Sequence, residues 1–168
     1  MPKKVFLGGT ANKSTWREKL IPLLDTTKIS YFNPVITGRE WTLADQAKET
    51  VEKQTCDFML YVITKEMLGF YSIAEVVNDS NKIPNKTIFC YLEEGFGQHQ
   101  IKSLQATARL VKENGTQVFT SLEEVAKWLN SQKEVEEENN RLEDTSQTRE
   151  QLIVQEEQPV VKSCCKIS

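Results

Sequence analysis

The segment Gly69-Phe70-Tyr71-Ser72-Ile73-Ala74-Glu75-Val76-Val77 sets a hydroxyl and a carboxylate three residues apart where an apolar run begins. That S-x-x-E spacing is a capping box, in which each side chain satisfies the other residue's backbone N–H. The same pattern suits chemistry. A carboxylate in the first turn of a helix lies in the favourable field of the N-terminus and stays ionised at neutral pH. Fixed there, Glu75 could attack the anomeric carbon of a sugar, form a glycosyl-enzyme and yield it to water or another acceptor. On these residues alone both readings stand, with Ser72 beside the reacting group in the second.

Asp57 opens the apolar run Phe58-Met59-Leu60-Tyr61-Val62-Ile63. An acid at that place caps a turn or bonds a neighbouring helix. Buried near a second carboxylate, it would instead have a raised pKa and handle protons. Gly8, Gly9 and Thr10 end the first apolar run, where bare N–H groups could approach a phosphate or sugar, or simply make a tight turn. Neither G-x-G-x-x-G nor G-x-x-x-x-G-K follows, so the dinucleotide and P-loop fingerprints are absent and no cofactor is expected. His99, the one histidine, has no second ligand or nucleophile motif near it and reads as solvated. Trp16, Trp41 and Trp128 read as packing residues. The 4 cysteines include no C-x-x-C pair, so no metal site is expected.

These residues need elements to hold them. Lys4-Val5-Phe6-Leu7 reads as a buried strand, and Ser14–Leu24 as a helix with Ser14 as cap. Ile29–Phe32 is a second strand, stopped by Asn33-Pro34. Thr42–Gln54 is a helix with Leu43, Ala47 and Val51 at four-residue spacing as its apolar side. The run 58–63 suits the centre of a parallel sheet. The stretch Ser72 to Asn78 begins a helix; strand Thr87–Leu92, helix Ile101–Lys112 and strand Gln117–Phe119 follow. Ser121-Leu122-Glu123-Glu124 opens the last helix with a capping-box pattern. Five strands alternating with five helices predict a doubly wound, three-layer α/β sheet of about five parallel strands. Ligands in such folds sit beyond the carboxyl ends of the strands. The candidate edge is therefore Gly8 to Thr10, Asn33 and Pro34, Thr64 to Glu75, and Glu93 to Gly97.

A length of 168 residues, 39% of them apolar, bounds the chain to one ordinary domain with a tail. Residues 133–168 carry 9 acidic and 5 basic side chains and no Gly, Phe, Tyr or Trp. That composition predicts a disordered acidic tail, with the α/β domain confined to residues 1–132. The net charge of −3 gives no basic face for nucleic acid. No apolar run is long enough to span a membrane, and the apolar part of the N-terminus is too short for a signal peptide, so a cytoplasmic protein is expected.

Taken in order, several segments resemble the nucleoside 2-deoxyribosyltransferase-like family. They are Lys4-Val5-Phe6-Leu7-Gly8-Gly9, Tyr31-Phe32-Asn33-Pro34-Val35, Cys56 to Thr64, and Gly69 to Glu75. The resemblance spans about residues 3 to 130. It implies a flavodoxin-like sheet and N-glycosidic chemistry on a nucleoside or nucleotide, by 2-deoxyribosyl transfer or hydrolysis, with homo-oligomers common. By position it makes Glu75 the nucleophile and Asp57 the acid that assists departure of the base. Gly8, Gly9 and Thr10 would line the sugar end. The family's second aspartate, a few residues before the nucleophile, has no counterpart: the loop Thr64–Tyr71 offers only Glu66. The alternative reading is a lipid-anchored nucleotide-binding or signalling module without turnover.

The final Cys165-Lys166-Ile167-Ser168 fits a C-a-a-X box with Ser favouring farnesyl, and Cys164 could accept palmitate. Two lipids would supply the two signals that stable anchoring needs, on a tail long enough to let the domain reach away from a membrane.

Overall fold

The computed structural model describes residues 1–132 other than Asn12 and Trp41. The tail expectation and the lipidation candidates Cys164 and Cys165 lie outside the described residues. The chain divides into two units, Met1–Ser131 and Gln132–Ser168.

Within the first unit the elements are β1 (Lys3–Gly9), α1 (Trp16–Leu20), β2 (Ile29–Phe32), α2 (Leu43–Thr55), β3 (Phe58–Ile63), α3 (Tyr71–Lys82), β4 (Thr87–Tyr91), α4 (Gln98–Glu113) and β5 (Gln117–Phe119). A further helix, α5, covers residues 122–132. All strands are parallel, in the order β2-β1-β3-β4-β5. That is the flavodoxin-like order, whose direction of winding reverses between β1 and β3.

Alternation along the strands builds two cores. Val5, Leu7, Leu60, Val62, Ile88 and Cys90 point to one face, where Trp16 and Leu20 of α1 and Val125 and Leu129 of α5 cover them. Phe6, Met59, Tyr61, Ile63, Phe89 and Tyr91 point to the other, under Val76 of α3 and Leu104 and Val111 of α4. The three-layer sheet expected from the alternation of elements is the one observed.

Three local expectations are corrected. Ser14 does not cap α1: the N-cap is Thr15, and the Ser14 hydroxyl bonds Thr64 Oγ1 at 2.7 Å instead. Nor do Leu43, Ala47 and Val51 face the core. Helix α2 buries none of its residues, and Leu43 and Val51 are exposed. Its N-terminus is closed by a capping box between Thr42 and Asp45, and the Arg39 guanidinium grips Asp45 with two hydrogen bonds of 2.6 and 2.5 Å. Those bonds hold the Asp45 carboxyl well below the usual carboxylate range.

The third concerns Ser72. Helix α3 begins at Tyr71 with Phe70 as N-cap and no side-chain cap, so Ser72 lies inside the helix. The Phe70 carbonyl accepts from the Ile73 and Ala74 N–H groups at 3.1 and 3.2 Å. Partly buried Ile73 and Val77 and buried Val76 and Ser80 fix the face that meets the sheet. That packing sets where the helix starts, two residues ahead of the S-x-x-E register. Among the described residues, no helix is long and apolar enough to cross a membrane.

Candidate active site

A cleft of about 740 Å³ opens at the carboxyl edge of the sheet, where β1 and β3 part. Gly8, Gly9 and Phe6 of β1 line it, with Arg17 of α1, Lys53 and Glu49 of α2, and Ser72 and Glu75 of α3. Pro34, Val35 and Ile36, after β2, close one side.

Local backbone geometry explains the glycines. Gly9 has φ of +105°, and a Cβ there would stand 2.1 Å from the Val62 carbonyl oxygen. Strands β1 and β3 therefore approach more closely than any side chain allows. A Cβ on Gly8 would press on the rings of Phe6 and Tyr61 at 3.0 Å. Beyond them, the Thr10 N–H donates to the Val62 carbonyl at 2.8 Å, and the Thr64 N–H donates to Thr10 Oγ1 at 3.0 Å. Thr10 is buried and shapes the loop from behind. Asn33 acts similarly: its Oδ1 accepts from the Val35 N–H at 3.1 Å and turns the chain into the cleft wall.

Glu75 is half-buried on the cleft face of α3, and its Oε1 accepts from the Lys53 ammonium of α2. The same ammonium lies over the rings of Phe6 and Tyr61, at 5.0 and 5.6 Å from their centroids. No acidic residue occupies the first turn of α3, so the helix N-terminus is not what steadies this carboxylate. Burial raises the Glu75 pKa above its ordinary 4.5; Lys53 pulls it back, and Glu49 and Asp79 add repulsion. Below Glu75, the Tyr61 hydroxyl donates to Asp79 Oδ2 at 2.5 Å. Burial and that acceptor push the phenol above its ordinary range, so it stays protonated.

Asp57 is not brought here. It lies at the amino end of β3, where its Oδ2 accepts from the Lys4 N–H at 2.8 Å and its Oδ1 faces Lys3 at 3.9 Å. The side chain ties the starts of β1 and β3 together, at the edge opposite Gly8 and Gly9. Glu66 accepts from the Thr64 hydroxyl at 2.6 Å and does not line the cleft. His99 is exposed, beside a separate apolar hollow of about 340 Å³ lined by Met67, Phe70, Ile73 and Phe96. Trp16 is buried, its indole N–H donating to the Thr10 carbonyl at 2.8 Å. Among the described residues no three His, Cys, Asp or Glu side chains are placed to hold a metal ion.

Lys53 and Arg17 are among the lining residues that the sequence did not single out. Lys53 belongs to a helix whose inward face is charged rather than apolar. Arg17 carried a readable signal, because 17, 20 and 24 follow the i, i+3, i+7 spacing of a buried stripe whose other members are Leu20 and Leu24.

A flavodoxin-like sheet with a ligand-sized cleft at its switch point and a half-buried carboxylate after β3 defines a class of small-ligand α/β proteins. Within that class the chain belongs to the nucleoside 2-deoxyribosyltransferase-like family, whose model matches residues 2–94. No curated protein matches the chain. A conserved protein from Enterococcus faecalis V583 is similar in structure, with a TM-score of 0.53 and 16% sequence identity over 78% of this chain and 99% of that one. That likeness is one of fold.

Proposed function

We propose that the protein breaks the N-glycosidic bond of a nucleoside or nucleotide, with Glu75 as nucleophile. The family supports nucleoside-directed glycosyl chemistry in general. The observation that carries the reading further is the state of the Glu75 carboxylate. One oxygen, Oε1, is held by Lys53, while Oε2 has no partner among the described residues and the residue lines the cleft. A carboxylate fixed by one oxygen and open at the other is aimed without being blocked.

In the first step Glu75 Oε2 bonds to the anomeric carbon as the carbon–nitrogen bond breaks, and the bonding pair leaves with the base, which takes a proton from solvent that the attacking water of the second step returns. Water then attacks the same carbon, releases the sugar and restores the carboxylate; a second base in place of water gives transfer. Lys53 stabilises the ionised carboxylate and holds its rotamer. Gly8 and Gly9 keep the sugar end of the cleft free of side chains. Asp57, at the far edge, has no part in the scheme.

Incubation with a panel of nucleosides and nucleotides, followed by chromatography for free base, tests the proposal. Glu75→Gln should lower release by ~10³-fold or more, the scale on which removal of a nucleophile is felt. Turnover surviving in that variant removes Glu75 from the mechanism.

A further inference from the structure

Arg17 is 5% exposed and makes no ion pair; the carboxylate of the adjacent Glu18 acts on its charge only at a distance. All of its hydrogen bonds go to main-chain oxygens, and its planar head lies 4.2 Å from the centroid of the Trp16 ring. Nε and Nη2 donate to the Leu7 carbonyl at 3.1 and 2.7 Å, and Nη1 donates to the Thr10 carbonyl at 2.8 Å. Three of its five N–H bonds are thus used, and two remain. A buried cation normally comes with an anion, because carbonyl dipoles replace the hydration of a full charge only in part. The other cations lining the cleft, less buried than Arg17, do have carboxylate partners. Arg39 is paired with Asp45, and Lys53 with Glu75. Arg17 lines the same cleft and is the exception among the described residues.

We propose that Arg17 receives an anionic group of the substrate, so that the cleft is built for a nucleoside 5′-monophosphate rather than for a free nucleoside. The inference rests on Glu75 being the group that meets the anomeric carbon. The 5′ carbon is carried by C4′, across the ring oxygen from the anomeric carbon and on the face opposite the one a nucleophile attacks, and Arg17 belongs to the β1–α1 wall of the cleft while Glu75 belongs to α3. A phosphate there takes two charge-assisted hydrogen bonds from a donor already immobilised by Leu7 and Thr10. Burial lowers the Arg17 pKa from 12.5 to about 10, which leaves it cationic at neutral pH.

The test is made on the full chain carrying Glu75→Gln, so that binding is measured without turnover. Calorimetry compares the four 2′-deoxynucleosides, their 5′-monophosphates and inorganic phosphate. The 5′-monophosphates should bind about tenfold or more tighter than the matching nucleosides. Adding Arg17→Gln should erase that preference, read as the ratio of monophosphate to nucleoside affinity falling to about one. Ala11→Asp, which puts a carboxylate on the same wall without touching the bonds of Arg17, should erase it as well and decides the matter if Arg17→Gln does not fold. Equal affinity for nucleosides and monophosphates overturns the inference, as does a preference that survives these substitutions. An equal loss for both ligand types in Arg17→Gln would make the residue a brace for the glycine loop and also overturn it. Binding of inorganic phosphate, lost in both Arg17→Gln and Ala11→Asp, with no nucleoside bound, would leave the anion site standing and remove the glycosidic reading instead.

Discussion

Lys53 of α2 donates to Glu75 of α3 across the cleft that both helices line. The contact joins two elements that meet the sheet very differently. Helix α3 buries Val76 against it, whereas α2 buries nothing and approaches the rings of Phe6 and Tyr61 with the Lys53 ammonium. An apolar inner face on α2 would settle onto those rings and fill the cavity. A charged one stands off and leaves room for a ligand.

The pair predicts a pH profile. Attack requires ionised Glu75, and burial raises its pKa above 4.5, so kcat/KM should fall on an acidic limb centred above that value. Lys53→Met removes the main influence that lowers the pKa and leaves burial, Glu49 and Asp79, all of which raise it. The limb should therefore move to higher pH, which a kcat/KM titration would show. Stability follows the same sign. A folded-state pKa above the unfolded one favours the protonated form, so this group's contribution is full below about pH 4.5 and is lost as pH rises through the folded value. At neutral pH, Lys53→Met should cost about 1–3 kcal/mol by leaving the carboxylate unpaired.

How far the sequence carried the fold depended on what each segment had to bury. The runs at 58–63 and 87–91 lie between helices on both faces, so their unbroken apolar character announced the centre of a parallel sheet. Glycines at the end of β1 marked the cleft because a close approach of strands admits nothing larger. Ser72 and Glu75 showed a capping register that α3 did not adopt, since contacts made a turn later by Val76 and Ser80 outweigh one local hydrogen-bond pair. Asp57 resembled a site acid through its place in the chain, but the amino end of a parallel strand lies a full strand length from the carboxyl edge. Lys53 was hidden because the pattern of α2 reads correctly as a helix and wrongly as to which face is inside.

Asp57→Ala separates the two edges of the sheet. The substitution removes the acceptor for the Lys4 N–H and a partner of Lys3, both remote from the cleft. A destabilisation of about 1 kcal/mol is expected, with kcat/KM unchanged within about twofold. Denaturant melts and steady-state kinetics on one preparation check both halves. A large fall in turnover at unchanged stability would return Asp57 to the chemistry.

Leu43→Ala and Val51→Ala probe the inverted helix. Side chains on the apolar stripe of an ordinary amphipathic helix lose several kcal/mol when truncated, because a cavity remains. Leu43 is 80% exposed and Val51 is 57% exposed, so each substitution should change stability by no more than about 0.5 kcal/mol. Urea midpoints for the single and double variants measure this. A loss of core size in either would mean that α2 turns its apolar side inward in solution.

Gly9→Ala tests the closest approach in the site. Alanine would have to hold φ near +105°, which costs about 1–3 kcal/mol for a residue with a side chain. Its methyl would also meet the Val62 backbone, 2.1 Å from the oxygen and 2.5 Å from the nitrogen, and no rotamer can relieve that contact. Strand β1 must then draw away from β3, which opens the switch point and displaces the Thr10 N–H from the Val62 carbonyl. Gly8→Ala meets ring atoms of Phe6 and Tyr61 at 3.0 Å, and side chains yield by a few tenths of an ångström more readily than backbone does. Gly9→Ala should therefore be the more destabilising of the two in urea denaturation and the more damaging to turnover. The reverse order would show that the ring floor, rather than the spacing of the strands, sets the shape of the cleft.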